Sequence, residues 1–466
     1  MLFSGIPFLF YFLPAVIILY LIAPKCLKNT VLLVSSLVFY AWGEPRFVII
    51  MVSSIALGYV FGLLIEKFRG RIAAKIFIAL SVIMSIGILG YFKYADFMIS
   101  NFNAITGLSV PLLRIALPIG ISFYTFQLLS YTIDVYRGDV AAQRNPIDLA
   151  AYIALFPQLI AGPIVRYSDV AAQLKQRSHT LDRVALGIRR FIIGLAKKVL
   201  VANALGELCD VFRSSGDKSV LFFWLYAIAF ALHIYFDFSG YSDMAIGLGK
   251  LFGFDFIENF NYPYISKSIA EFWRRWHISL GSWFRDYVYI PLGGNRVSKL
   301  RWFFNTLTVW MLTGLWHGAS WNFVIWGLYF AFFLLIEKFF LSKLLDKIGT
   351  ARHLYVLFFV LISFVIFNAA DMNQAFADIG GMFGAGGIPL VSTEAVYYLK
   401  NYAVTFIVAI IGATPFPKKL MEKLQLKKGF STVLSVAEPI VLAAFLIVIA
   451  AYLIDGSFNP FLYFRF

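Results

Sequence analysis

The sequence predicts an all-α, polytopic integral membrane protein, a helical bundle of about 11 or 12 spans plus re-entrant or interfacial helices. Three observations lead there. The 466-residue chain is 61% apolar and only 14% charged, whereas soluble domains average roughly 45–50% apolar and about 25% charged. Apolar runs close to the ~20 residues that cross a bilayer recur along it. The charge is lopsided, with 40 Lys+Arg against 25 Asp+Glu for a net +15. Disorder needs the opposite composition. A nucleic-acid binder clusters Lys and Arg on a soluble domain; none is present, so no nucleic-acid partner is expected. A surface-bound protein would carry a few basic amphipathic helices in a far less apolar chain. A polytopic protein with basic cytoplasmic loops, set in membrane lipid, satisfies both figures.

Residues 1–25 lack a basic n-region and an A-x-A cleavage site, so they read as a first span rather than a removable signal. Full-length candidate spans are 6–23, 46–65, 73–92, 114–136, 219–237, 320–337, 353–370, 394–413 and 434–454. Shorter or weaker ones are 31–42, 149–162, 191–208, 240–254 and 302–316. The shortest of these cannot cross as straight helices and predict re-entrant or half-buried pieces, tolerated only inside a protein bundle. No soluble domain, internal repeat or low-complexity tract intervenes, so residues 1–466 read as one membrane domain. Cys26 and Cys209 are too few and too far apart for a disulfide framework or a zinc site.

Loop charges predict orientation. Basic residues dominate 66–75 (Lys67, Arg69, Arg71, Lys75) and 164–190 (Arg166, Lys175, Arg177, Arg183, Arg189, Arg190). They dominate again in 338–352 (Lys338, Lys343, Lys347, Arg352) and 415–430 (Lys418, Lys419, Lys423, Lys427, Lys428). The stretch 371–393 carries Asp371 and Asp378 and no Lys or Arg. By the positive-inside rule the first four are cytoplasmic and the last external. The same parity places both termini outside.

Residues 255–301 break the apolar pattern. Within Lys267–Tyr287 (KSIAEFWRRWHISLGSWFRDY) a helical stripe runs through Ile269, Phe272, Trp273, Trp276, Leu280, Trp283, Phe284 and Tyr287. At helical spacing these span about 120° of arc. Glu271, Arg274, Arg275 and Arg285 take the other face, and Glu271–Arg275 is a favourable i,i+4 pair. The bland reading is an interfacial anchoring helix. His277 flanks the stripe, beside its apolar side, and is either a hydrogen-bonded interfacial residue or a chemical one. PLGGNR (291–296) predicts a Gly-Gly-Asn turn.

His317 lies in WMLTGLWHGASWNFVIWG (310–327), where two apolar stretches meet among Gly314, Gly318, Ala319 and Ser320. An ionisable residue inside a membrane bundle is costly and marks a functional site by default. Small neighbours let backbones or a substrate come close. A desolvated neutral imidazole can act as a general base; the alternative is a satisfied packing histidine. His179 and His353 are expected to be solvated. His233 precedes Asp237 by one turn and predicts a structural polar pair. Asp237, Ser239 and Asp243 either line a polar cavity or flank a helix break at Ser239-Gly240, which is the favoured reading. No histidine pair has metal-ligand spacing, so no metal is expected.

Together these residues carry a recognisable pattern. SFYTFQLLSYTIDVYRG (122–138), FPQLIAGPIVR (156–166) and YFDFSGYSDMAIGL (235–248) are three of its stretches. The others are NYPYISKSIAEFWRRWHISLGSWFRDYVYIPLGGNR (261–296), MLTGLWHGASWNFVIWG (311–327) and PFLYFRF (460–466). The chain resembles the membrane-bound O-acyltransferase family, specifically its bacterial alginate O-acetyltransferase branch, most strongly over 118–330. The D-alanyl-transfer proteins of teichoic acid modification share the WRRWH stretch. The resemblance implies that His317 matches the family's intramembrane catalytic histidine and His277 its second, tunnel-side histidine. It also implies a central tunnel, residence in the bacterial inner membrane, and an acyl thioester entering from the cytoplasm. An extracytoplasmic SGNH-type acetyltransferase is the implied protein partner. In one place the chain departs from relatives that continue W-G-x-x-H-G: Phe330 and Ala331 replace His-Gly.

The resulting expectation is acetyl transfer toward an exported polysaccharide such as alginate. No cofactor is held, and acetyl-CoA is the donor substrate. It would dock near Trp273, Arg274, Arg275, Trp276 and Arg285, the arginines attracting its phosphates. His317 would deprotonate the attacking hydroxyl, and Ser320 or Asn322 would stabilise the oxyanion. Rival readings are D-alanyl or other acyl transfer to a wall polymer, a transporter with Asp237, Asp243 and His317 along its path, and an assembly scaffold.

Overall fold

In this computed structural model the described residues are 1–160, 162–455 and 461–462, with backbone only for Lys428. The rest of the PFLYFRF stretch lies outside them. Helices and loops account for all of these residues, with no strand among them. Among the described residues seven helices are long and apolar enough to cross a membrane: Lys25–Gly43, Val48–Lys67, Ile72–Thr106, Val220–Leu251, Trp321–Lys347, Gly349–Asn368 and Gly429–Asp455. The pair Thr393–Asn401 and Ala403–Gly412, bent by 57°, makes an eighth if it acts as one span. The larger sequence count also takes in Phe8–Ile22, apolar but short. It includes Ile121–Arg137 too, whose buried residues include Gln127, Thr132 and Asp134.

The described chain forms two units. The first comprises Met1–Phe191 with Tyr241–Ile257. There the Val48–Lys67 helix lies directly on Ile121–Arg137. A Cβ at Gly62 would come within 2.6 Å of the Tyr131 hydroxyl, so only glycine permits the approach. The expected span 114–136 starts late: its helix begins at Ile121, after Pro118 and a left-handed Gly120 (φ 75°). The expected segment 149–162, of which residue 161 lies outside the described residues, holds two short helices, Pro146–Ala154 and Phe156–Leu159, separated at Leu155 where ψ reaches 109° and buried from Leu149 on apart from a half-buried Ala150. His179 was expected in water; it is exposed but hydrogen-bonds the Tyr20 hydroxyl at 3.2 Å.

The second unit comprises Ile192–Gly240 with Glu258–Phe466. It contains the hairpin of Lys299–His317 and Trp321–Ile336. A Cβ on Gly314 would run into the Phe323 carbonyl, and one on Gly327 into the Trp310 carbonyl, so small residues let these backbones meet. Val220–Leu251 is one continuous helix, which corrects the break expected at Ser239-Gly240. Gly240 serves close packing instead: a Cβ there would sit 2.7 Å from the Gly194 carbonyl oxygen. His233 does not form the expected pair with Asp237. Its Nδ1 lies 2.6 Å from the Ala202 carbonyl oxygen, while Asp237 forms a fully buried ion pair with Lys198 at 2.6 Å. Asp237 also accepts the Leu462 N–H at 2.8 Å. His353 is partly buried, with Nδ1 3.0 Å from the Ser266 carbonyl oxygen, rather than solvated.

Candidate active site

The stripe expected to form one helix over 267–287 is broken in the middle. Ile269–Arg275 and Ile278–Phe284 are separate helices, and His277 between them adopts φ 45°, ψ 53°. That left-handed conformation costs a non-glycine residue about 1–2 kcal/mol, and long-range bonds impose it. The Asn259 carbonyl accepts the Ile278 N–H at 3.0 Å, and Asn261 N–H donates to the Arg275 carbonyl at 2.9 Å. Asn259 Oδ1 accepts both the Ser279 N–H (3.1 Å) and the Ser279 hydroxyl (2.9 Å), and lies 3.1 Å from His277 Nδ1.

The first helix is pinned at its start. Ser268 Oγ accepts the Glu271 N–H at 3.0 Å. From the end of the Trp321–Ile336 helix, the Glu337 carboxylate accepts the N–H groups of Ile269 (2.6 Å) and Ala270 (3.1 Å). These are among the donors a helix N-terminus leaves unpaired, and an anion there meets the positive end of the helix dipole. One carboxylate thus ties the hairpin that carries His317 to the segment that carries His277.

His277 is 1% exposed, buried within the protein. Burial pulls its imidazole down to about 3, so the ring is neutral at physiological pH. It is one wall of a cavity of about 980 Å³. Lys267, Arg274, Arg285, Lys338 and Arg352 line this cavity against Glu271, Glu337 and Asp346, and Trp273, Trp310 and Thr313 line it too. Arg285 is held by Asp286 at 2.6 Å. Arg275 does not line the cavity: it forms the expected pair with Glu271 at 2.8 Å and donates to the Asn261 carbonyl.

His317 ends the first hairpin helix, where the chain turns extended at Gly318. It is 6% exposed, and its ring packs against Trp316, Trp326 and Phe367 with centroids 5.0, 5.0 and 5.3 Å away. A second cavity of about 20 Å³, room for roughly one water, is lined by His317, Asp237, Trp276, Trp326, Phe367 and Leu462 among others. Trp316 also packs 5.7 Å from His277, so a single indole contacts both imidazoles. Asn322, in the first turn after the bend, is buried and donates to the Ala369 carbonyl at 2.9 Å. Ser320 precedes that helix; its carbonyl accepts the Val324 N–H at 3.4 Å, while its hydroxyl makes no capping bond. Phe330 is fully buried against Trp273, Trp310 and Trp326.

The structure therefore brings His277, Trp273, Arg274 and Arg285 to one cavity, and His317 and Trp276 to the other. Asn259 and Glu337 escape sequence reasoning. Nothing in FDFIENFNYPY separates Asn259 from the other loop asparagine. Glu337 did carry a signal: a lone carboxylate at the end of the apolar run FVIWGLYFAFFLLIE.

A family model described as "MBOAT, membrane-bound O-acyltransferase family" matches residues 141–373. An Azotobacter vinelandii protein described as "Probable alginate O-acetylase AlgI" is 40% identical over the whole of both chains. The peptidoglycan O-acetyltransferase of Helicobacter pylori is 34% identical over 89% of this chain and 86% of its own. The teichoic acid D-alanyltransferase of Bacillus subtilis is 32% identical over 48% of this chain and 59% of its own.

Proposed function

The chain belongs to the membrane-bound O-acyltransferase family and is a multi-pass membrane O-acyltransferase, and we propose that it moves acetyl groups from acetyl-CoA toward an exported polysaccharide. The observation that carries this reading is the pairing of a basic-lined cavity that His277 also lines with a neighbouring buried histidine, His317, joined through Trp316. Acetyl-CoA is an anion with a thin, mostly uncharged arm. Lys267, Arg274, Arg285, Lys338 and Arg352 offer charge to its phosphates, and Trp273, Trp302 and Trp310 in the same lining suit the arm. By the positive-inside rule this face is cytoplasmic and the enzyme lies in the bacterial inner membrane, with both termini outside.

In the reaction His317 takes the proton of an attacking hydroxyl as its oxygen bonds to the thioester carbonyl carbon. The tetrahedral oxyanion collapses, the C–S bond breaks, and the thiolate takes the proton from the imidazolium. Asn322 has a second amide proton beyond the one held by Ala369, and is the candidate oxyanion donor. The hydroxyl belongs to sugar or to a serine of an extracytoplasmic SGNH-type acetyltransferase. Full-length similarity to O-acetyl-transfer proteins favours acetyl over D-alanyl as the group moved, because the D-alanyltransferase match covers about half of the chain.

The test is transfer of labelled acetyl from acetyl-CoA by purified protein in liposomes, with alginate fragments and an SGNH-type acceptor on the far side. Label on the acceptor and free CoA on the donor side are expected. Movement of intact polysaccharide without release of CoA would favour the transporter reading instead.

A further inference from the structure

In the first unit, basic side chains from separate segments gather around one phenol ring. Lys28 Nζ stands 4.5 Å from the centre of the Tyr20 ring, and Arg177 Cζ 5.8 Å from it. The His179 ring centre is 5.6 Å from the same point. Lys25 lies in the short turn Lys25–Leu27 that leads into the helix of Lys28. The segments are tied together. Tyr20 donates to the Phe252 carbonyl at 2.9 Å, and its oxygen is 3.2 Å from His179 Nε2. Arg177 donates to Asn29 and packs 4.7 Å from the Phe254 ring. Gly253 (φ 85°) permits the approach: a Cβ there would stand 2.9 Å from His179 Cε1 and 3.0 Å from Arg177 Cβ. His179 and Lys25 are exposed, and Lys28 and Arg177 half-buried, so the group is open to a ligand.

Little negative charge answers it. Among the described residues no carboxylate pairs directly with Lys25, Lys28 or Arg177. Arg177 reaches Asp148 only through Asn29, which donates to that carboxylate at 2.7 Å. Asp255 is taken by Arg183 at 2.7 Å and Lys250 at 3.2 Å. Lys28 opens the Lys28–Gly43 helix, whose first turn holds no acidic residue, so its ammonium meets the positive end of the helix dipole. Partial burial, followed by the charges of Lys28, Arg177 and Arg183, pushes the His179 imidazole below its ordinary value. An anion here would relieve this repulsion. The surroundings say which anion. Lys25 begins the stretch Lys25–Gly43, long and apolar enough to cross a membrane, just after the apolar Phe8–Ile22 helix. Leu21, Ile22 and Leu27 beside it in the chain are 69%, 77% and 49% exposed. Charge at the end of apolar helices sits at headgroup level, and the positive-inside rule puts it on the cytoplasmic side. We propose that Lys25, Lys28, Arg177 and His179 bind the phosphodiester headgroup of an anionic phospholipid of the cytoplasmic leaflet. The exposed apolar side chains beside the charges suit acyl chains, which free phosphate lacks. The site does not depend on the acyl-transfer reading.

The experiment is native mass spectrometry of the delipidated full chain, titrated with phosphatidylglycerol or phosphatidylcholine, reading an apparent Kd for the first lipid bound. Wild type is expected to bind phosphatidylglycerol about tenfold or more tighter than phosphatidylcholine. Lys25→Gln with Lys28→Gln is expected to weaken phosphatidylglycerol binding about 30-fold and to leave phosphatidylcholine binding unchanged. Lys25→Arg with Lys28→Arg keeps the charge and is expected to bind as wild type does. Arg71→Gln with Lys75→Gln removes the same charge from another basic loop at exposed positions, and is expected to change the Kd by less than about twofold. Lys25→Gln alone, expected to weaken binding about fivefold, carries the test if the double variant does not fold. Equal losses in the two glutamine doubles would reduce the effect to general surface charge and overturn the proposal. So would wild-type protein that binds both lipids alike. Displacement of phosphatidylglycerol by millimolar inorganic phosphate would assign the cluster to a soluble anion and overturn it as well.

Discussion

Glu337 shows what one buried carboxylate can hold in place. It accepts two backbone N–H groups at the start of the Ile269–Arg275 helix, and it follows directly on the Trp321–Ile336 helix. Glu337→Leu leaves the buried Ile269 N–H unpaired, at about 1–3 kcal/mol, and frees the half-buried Ala270 N–H as well. A lower Tm and weaker acyl transfer are expected together. Glu337→Gln keeps an acceptor and is expected to fall between the variant and the wild type. If Glu337→Leu lowers neither in a detergent melt and a transfer assay, the carboxylate is not what positions this helix. Residues of this kind are hard to read from sequence because their partners lie far along the chain. His317 was legible for the opposite reason: a titratable side chain within an apolar run stands out without any knowledge of its neighbours. Asn259 has no such contrast, since its role is set by Ser279 and His277, about twenty residues downstream.

At the scale of elements, periodicity found the helices but not their interruptions. The stripe from Ile269 to Tyr287 has one unbroken helical spacing, yet the chain breaks at His277 because the Asn259–Asn261 segment bonds to the turn. At Ser239-Gly240 the error ran the other way. A local breaker signal was present, but Gly240 meets the Gly194 backbone and the helix continues. The Lys198–Asp237 pair supports the same helix from inside, with both side chains buried. Asp237→Ala strands a buried ammonium group and is expected to cost about 3–5 kcal/mol, seen as a lower Tm. Replacing both residues with apolar ones (Asp237→Leu with Lys198→Met) is expected to recover most of that loss. If the double variant is no more stable than Asp237→Ala, charge pairing is not what holds these segments.

For the whole molecule, composition alone was enough to predict a multi-pass helical protein. The number of spans was less legible, because buried polar helices and short apolar ones do not differ from true spans by hydropathy alone. Orientation rests on the basic loops. In a protein with Cys26 and Cys209 replaced by serine, Arg71→Cys and Lys347→Cys, both exposed positions, are expected to react with an impermeant thiol reagent only after the membrane is opened. Asn373→Cys, also exposed, is expected to react in intact cells. The reverse pattern would invert the topology and place the basic cavity on the wrong side for a cytoplasmic donor.

The central claim is that His317 performs acyl transfer in this cavity system. Its most direct measurement is the rate of CoA release coupled to acetyl appearing on the acceptor, in liposomes holding wild type or His317→Ala at matched amounts and matched Tm. The account predicts turnover by the wild type and a loss of about 100-fold or more in the variant. Wild-type rates from His317→Ala would contradict it.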